Sequence, residues 1–239
     1  MLRFLATLVC AGLLAGTAEA DDDRAAFVEA NVLGIFYHEL GHAMIDLLDL
    51  PIFGQEEDAA DVASILMIDL LWGDATALDL AYATADGFYA EARRVDADDV
   101  AFWGVHGPDA QRFYNTVCLF YGGNPESRRD FAEYMELPIE RAETCAEEYD
   151  LALKSWGAAF ETLSDLDGAK LTFQSDASGY WVDFLAAEVA ALNEHFTWPE
   201  KLTVSAGPCG EANAWYDPSA VEIRFCSEFV PHLDSLFVP

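Results

Sequence analysis

Tyr37-His38-Glu39-Leu40-Gly41-His42, read with Glu56-Glu57-Asp58-Ala59-Ala60-Asp61 downstream, decides how this chain is understood. The first segment is a His-Glu-x-x-His pattern inside an apolar, helix-like run. Histidines at i and i+4 share one helical face, roughly 5–6 Å apart at Cβ. Each can reach one metal ion at about 2.0–2.1 Å from a ring nitrogen. Glu39 follows His38 by one residue and is turned about 100° round the helix. Its carboxylate then lies beside the metal, placed to take a proton from an activated water.

A catalytic zinc site needs a third protein ligand and one open position. Glu57 is the candidate, with Glu56 as the alternative. Leu50-Pro51 should end the first helix, because proline cannot continue it and restricts the residue before it. Gly54 marks a turn, and Glu56 to Leu71 reads as a second helix. From His42 to the helix end is about seven residues, roughly 10 Å. A linker of about five residues spans roughly 16 Å, so the chain can double back and set Glu57 opposite the histidines. Asp61 lies at i+4 from Glu57, on the same face, and can accept a hydrogen bond from the second nitrogen of a ligand histidine. Asp46, at i+4 from His42, is a weaker candidate for the same work.

This arrangement resembles the glutamate-type zincins, whose third ligand is a Glu followed four residues later by an Asp. It is more closely similar to a bacterial metallopeptidase family, still a domain of unknown function. That family is marked by a His-Glu-Leu-Gly-His-Ala segment, here His38 to Ala43, and a Gly-x-Glu-Glu-Asp-Ala-Ala-Asp segment, here Gly54 to Asp61. The resemblance continues through Gln111 to Asn115, Cys118, Tyr121-Gly122, Leu137-Pro138, Arg141, Cys145 and Trp156, then Cys209 to Pro218 and Ile223 to Cys226. It implies a zincin-like fold in which an edge strand beside the zinc helix pairs with the substrate backbone. The hairpin from Ala214 to Cys226 is the candidate for that sheet. One departure stands out. The Asn213 to Pro218 segment follows the zinc helix here, where the family pattern has it first, an order that suggests a circularly permuted domain.

The ends and the composition add bounds. Residues 1–20 read as a signal peptide, with Arg3, an apolar run from Phe4 to Ala15 and an Ala18-Glu19-Ala20 cleavage site. That run is too short to span a membrane, and no other stretch reaches the ~20 apolar residues needed. The expectation is an exported protein, periplasmic or secreted, with no membrane span after cleavage. Residues 21–239 suit a single metallopeptidase-like domain. Its hydrophobic content of 53% can fill a core, and the formal charge of −31 repels nucleic acid and anionic lipid. The charge reads first as a solubilising coat; a preference for cationic substrates would need it focused at the cleft.

Apart from Cys10 in the leader, the cysteines are Cys118, Cys145, Cys209 and Cys226. An even number in an exported chain suggests two disulfides, with three connectivities open. We favour Cys118–Cys145 with Cys209–Cys226; the second pair flanks a hairpin centred on Asp217-Pro218. Four cysteines on one metal is the rival reading, and the close C-x-x-C pairs it needs are missing.

Taken in order, Asp21 to Asp23 are N-cap candidates for a long helix from about Arg24 to Asp49. Gly41 inside it costs about 1 kcal/mol against alanine, which close approach of another backbone would explain. Further helices are expected over Ala75–Val95, Asp109–Tyr121, from Pro125, and over Pro138 to about Leu163. A seam at 163–168 separates a helical part, 21–165, from an α/β part, 166–239. The latter holds a strand at 171–174, a helix at 180–196, a strand at 202–206 and the hairpin. The fold class is α+β, mainly helical, with a small sheet contributed by the C-terminal part.

The functional expectation is a zinc-dependent metalloendopeptidase acting on a peptide or protein substrate. Zn²⁺ is held by His38, His42 and Glu57, and Glu39 is the general base. His106, in an expected loop, is the candidate donor to the oxyanion of the tetrahedral intermediate; Arg112 and Tyr114 are rivals. A non-catalytic zinc-binding envelope or scaffold protein is the alternative from another class, and Glu39 argues against it. An amidase acting on cell-wall cross-links is the third.

Overall fold

The computed structural model describes residues 11–238. The first ten residues of the expected leader lie outside the described residues. From Ala11 the chain is already helical, and α1 runs over Ala11–Leu47. The helix therefore does not begin at Arg24, and Asp21 to Asp23 lie within it rather than capping it. Its C-terminus is as expected: Asp49 takes a left-handed φ of 49°, and Leu50 N–H donates back to the Ile45 carbonyl at 2.9 Å. That closes the helix in a Schellman-type turn just before Pro51.

The remaining helices are α2 (Glu56–Leu71), α3 (Asp74–Ala92), α4 (Asp109–Gly123), α5 (Arg129–Tyr134), α6 (Ile139–Asp165), α7 (Tyr180–His195) and α8 (Phe229–Leu236). Pro125 does not open a helix. It sits in a turn where Asn124 Oδ1 accepts the Ser127 N–H at 3.3 Å, and α5 starts only at Arg129. The strands are β1 (Thr172–Ser175), β2 (Thr203–Gly207), β3 (Ala214–Asp217) and β4 (Glu222–Cys226). The fold is thus mainly helical with a small four-stranded mixed sheet, as expected.

The sheet order is β1-β2-β4-β3. β1, β2 and β4 are parallel, and β3 pairs with β4 alone, antiparallel, with Tyr216 opposite Ile223. β3 is therefore an edge. β1 reaches β2 through α7, the helical crossover that parallel neighbours need. The inward residues Val204, Ile223 and Phe225 are fully buried.

Two contacts set the geometry around α1. On one side Gly41 lies against α2: a Cβ there would be 2.9 Å from Ala60 Cα. The close approach that the glycine suggested is present, and it lets the two helices meet backbone to backbone. On another side Tyr37 is fully buried. Its hydroxyl donates to Glu188 of α7 and accepts the Trp72 indole N–H at 3.1 Å.

Cys118 is bonded to Cys145 and Cys209 to Cys226, with Cα separations of 5.1 and 5.3 Å. The first ties α4 to α6. The second does not bridge opposed residues of the hairpin. Asn213 is the residue opposite Cys226 there, and Gly207 is its neighbour in β2. Cys209 lies in the loop between β2 and β3, so this bond anchors that loop to the end of β4.

Candidate metal centre

His38 and His42 lie one turn apart on the face of α1 that meets the first turn of α2. The Gly41–Ala60 contact places Glu57, three residues before Ala60, against both rings. His38 Nε2 and His42 Nε2 are 3.1 Å apart, and each is 3.1 Å from Glu57 Oε2. Three tetrahedral ligands at about 2.0–2.1 Å from a zinc ion are roughly 3.3 Å from one another. The triangle is the right size for one face of such a site.

The outer nitrogens explain why the inner ones face inward. His38 Nδ1 donates to Asp61 Oδ1 at 2.7 Å, and His42 Nδ1 to Glu56 Oε1 at 2.8 Å. With both Nδ1 atoms so engaged, two imidazole lone pairs and a carboxylate oxygen point at one another. That arrangement calls for positive charge at its centre. Protons on the two rings would meet the same demand. Burial works against a charged His38, but Asp61 and Glu57 outweigh it and hold the ring up at about 9. His42 is raised in the same way: Glu57 and Glu56 overcome its burial. Hydrogen bonds from His106, His38 and His42 push the Glu57 carboxyl far below the usual range.

Asp61 sits behind His38. Burial would raise its carboxyl, yet the Arg112 guanidinium and His38 hold it at about 2. Asp46 does not stand behind His42. Its carboxylate accepts the Tyr216 hydroxyl at 2.7 Å, because β3 packs against α1 there and Glu56 already occupies His42 Nδ1. Glu56, weighed in the sequence as an alternative ligand, is thus an outer partner.

Glu39 is buried, at 7% exposure. Burial pushes its carboxyl up, and the two histidines and the nearby backbone amide of Tyr216 pull it back. His106, on the loop between α3 and α4, brings Nε2 to 2.8 Å from Glu57 Oε2, and its ring stacks on His38 at 5.9 Å. Arg112 forks onto Asp61 rather than standing free, and Tyr114 lies outside the cleft lining.

These groups open onto a cleft of about 1110 Å³. It follows one face of α1, from Asn31 through His38 and His42 to Asp46, and reaches Asp49 in the turn beyond. β3 forms one wall with Trp215 and Tyr216, and α8 closes the far end with Leu233 and Leu236. Three features were missed in the sequence: α8 as a wall, the Tyr216 contacts, and Glu56 behind His42. Only the i+4 spacing of aromatic and aliphatic residues in Phe229, Leu233 and Phe237 carried a signal for α8.

Fold and site together define a helical α+β protein whose His-Glu-x-x-His helix faces a carboxylate at metal-ligand spacing. A family model described as "Putative metallopeptidase" matches residues 11–159 and 180–239, and the chain belongs to that family. No curated protein and no solved structure matches it.

Proposed function

We propose that the protein is a zinc-dependent peptidase. The convergence of two imidazole nitrogens and one carboxylate oxygen at 3.1 Å, with a second acidic residue, Glu39, buried beside them, carries the reading. His38, His42 and Glu57 would hold the ion, a nitrogen-rich set with one carboxylate that suits zinc. When bound, the ion supplies Lewis acidity that lowers the pKa of a water and polarises a scissile carbonyl. Glu39 would accept a proton from the attacking water and pass it to the leaving amine. Its burial raises the carboxyl, which suits a group that must both gain and lose a proton.

His106 stands over Glu57 on a loop with Nε2 turned to Glu57 Oε2; on release from that contact the same N–H would be the donor to the oxyanion. β3 supports a peptide substrate. It is a sheet edge along the cleft wall, where an extended segment can add as a further strand. Two disulfides, in a protein whose described residues hold no helix long and apolar enough to cross a membrane, support an exported enzyme.

The test is elemental analysis of protein purified without added metal, together with digestion of a broad peptide library. Stoichiometric zinc and chelator-sensitive cleavage are expected. Zinc without any cleavage would leave a metal-binding protein and overturn the peptidase reading.

A further inference from the structure

Arg112 enters the site from α4, three helices away in sequence from the histidines. Its side chain is 17% exposed. The guanidinium is forked onto Asp61, Nε to Oδ2 at 2.8 Å and Nη2 to Oδ1 at 2.7 Å. It stacks over the Phe88 ring at 4.3 Å, and Asp109 lies 3.8 Å from Nη1. Asp61 Oδ1 is the same oxygen that receives His38 Nδ1 at 2.7 Å. Arginine, carboxylate and imidazole therefore form one chain ending at the inner nitrogen of His38.

We propose that Arg112 is a positioning residue for the metal centre: it holds the plane of Asp61, and through it the ring of His38. This rests on the metal-site reading above. The physical reason lies in the carboxylate. A carboxylate alone turns about its Cβ–Cγ bond and offers either oxygen over a wide arc. A bidentate guanidinium removes that freedom, because two parallel N–H···O bonds demand coplanarity. With Asp61 so held, Oδ1 has one direction to offer, and His38 must present Nδ1 along it. Nε2 is then aimed at the point it shares with His42 and Glu57. Stacking on Phe88 holds the guanidinium in turn, so α3 and α4 buttress a ligand carried by α1.

The sign of the effect separates this role from simple electrostatics. A guanidinium close to a divalent cation repels it, so deleting the charge alone would tighten zinc binding. Positioning predicts the opposite.

The experiment measures zinc affinity by competition with a chromophoric chelator, after near-ultraviolet circular dichroism has established the native fold. Arg112→Met and Asp61→Asn are each expected to weaken zinc binding by about 10–100-fold. The double variant should be no weaker than the weaker single by more than about twofold, because both changes break one chain. Wild-type or tighter affinity in Arg112→Met overturns the proposal. So do losses that multiply in full in the double variant. Should Arg112→Met not fold, Arg112→Lys is read instead. It keeps a cation and an alkyl stem beside Phe88 but cannot form the fork, so unchanged affinity in it overturns the role. A wild-type protein that takes up no divalent ion would instead refute the metal site itself.

Discussion

Glu39 and His38 are chain neighbours with opposite needs. His38 must keep an unprotonated nitrogen toward a cation, whereas Glu39 must accept and return a proton. The Glu39 carboxylate is buried and, among the described residues, makes no ion pair with arginine or lysine. Replacing it with glutamine keeps shape and burial but removes the basic oxygen. Glu39→Gln should bind zinc as the wild type does and lose about 10²–10⁴-fold in kcat, read from metal stoichiometry beside peptide cleavage. His38 makes a second prediction. Its metal-free pKa of about 9 lies above the usual 6.5, so the charged ring stabilises the metal-free fold fully below pH 6.5. That contribution is lost as pH rises through 9. Chelator-treated protein should melt lower at pH 9.5 than at pH 6.5. Zinc uptake below pH 9 should release protons, because the ligand must be neutral. Uptake without proton release in calorimetry across buffers would refute the assignment. At this scale the sequence was informative where chemistry depends on spacing: His38 and His42 share a face by helical periodicity, and Asp61 shares one with Glu57, whereas Glu57 itself was reached through the linker that lets the chain double back and the family resemblance. It misassigned Asp46, because the competition between His42 and Tyr216 for that carboxylate depends on where β3 lands, a contact 170 residues apart in sequence.

The element that matters most is the crossing of α1 and α2. Glu57 and Asp61 bracket Ala60 as His38 and His42 bracket Gly41, so one backbone contact sets four side chains. Glu56, Glu57 and Asp58 occupy the first turn of α2, where the helix dipole favours negative charge. The carboxylates are thus stabilised before any metal arrives. A methyl group on Gly41 would meet Ala60 Cα at 2.9 Å, and backbone cannot swing aside. Gly41→Ala should therefore force the helices apart and cost about 1–3 kcal/mol of stability. Zinc affinity should fall as well, because the shift separates Glu57 from both rings. Adding Ala60→Gly should not restore it, since that removes only the Cβ contact at 3.1 Å and leaves the Cα clash. Thermal melting and chelator competition on the two variants check both halves. Gly41 could be read in the sequence as a demand for close approach; which helix would approach it could be read only through the pairing of the two motifs. α8 was not legible, because eight residues next to a strand give too short a pattern to separate helix from strand.

At the scale of the whole molecule, charge outweighs every other feature. The chain carries 43 acidic against 12 basic residues. Arg112, Arg128 and Arg141, a quarter of the cations, are spent on Asp61, Asp69 and Glu148. The carboxylates therefore outnumber all cations that could pair with them more than three to one. Compact states suffer more from their mutual repulsion than extended ones, because folding brings the charges together. Salt shortens the range of the repulsion, to about 10 Å at 0.1 M and 3 Å at 1 M. It also weakens surface ion pairs, but here these are few against the unpaired acids, so relief of repulsion should win. The melting temperature at pH 7 should therefore rise with sodium chloride between about 0.01 M and 1 M. Sodium chloride is the right salt, since sulfate would also strengthen apolar burial and blur the cause. The control is acidity. Near pH 4 about half the carboxylates are neutral, and the gain from salt should shrink in step. A melting temperature that falls with salt at pH 7 would mean that attractive pairs outweigh the excess, contrary to the ratio of 43 to 12. A gain of equal size at pH 4 would assign it to the solvent rather than to the carboxylates.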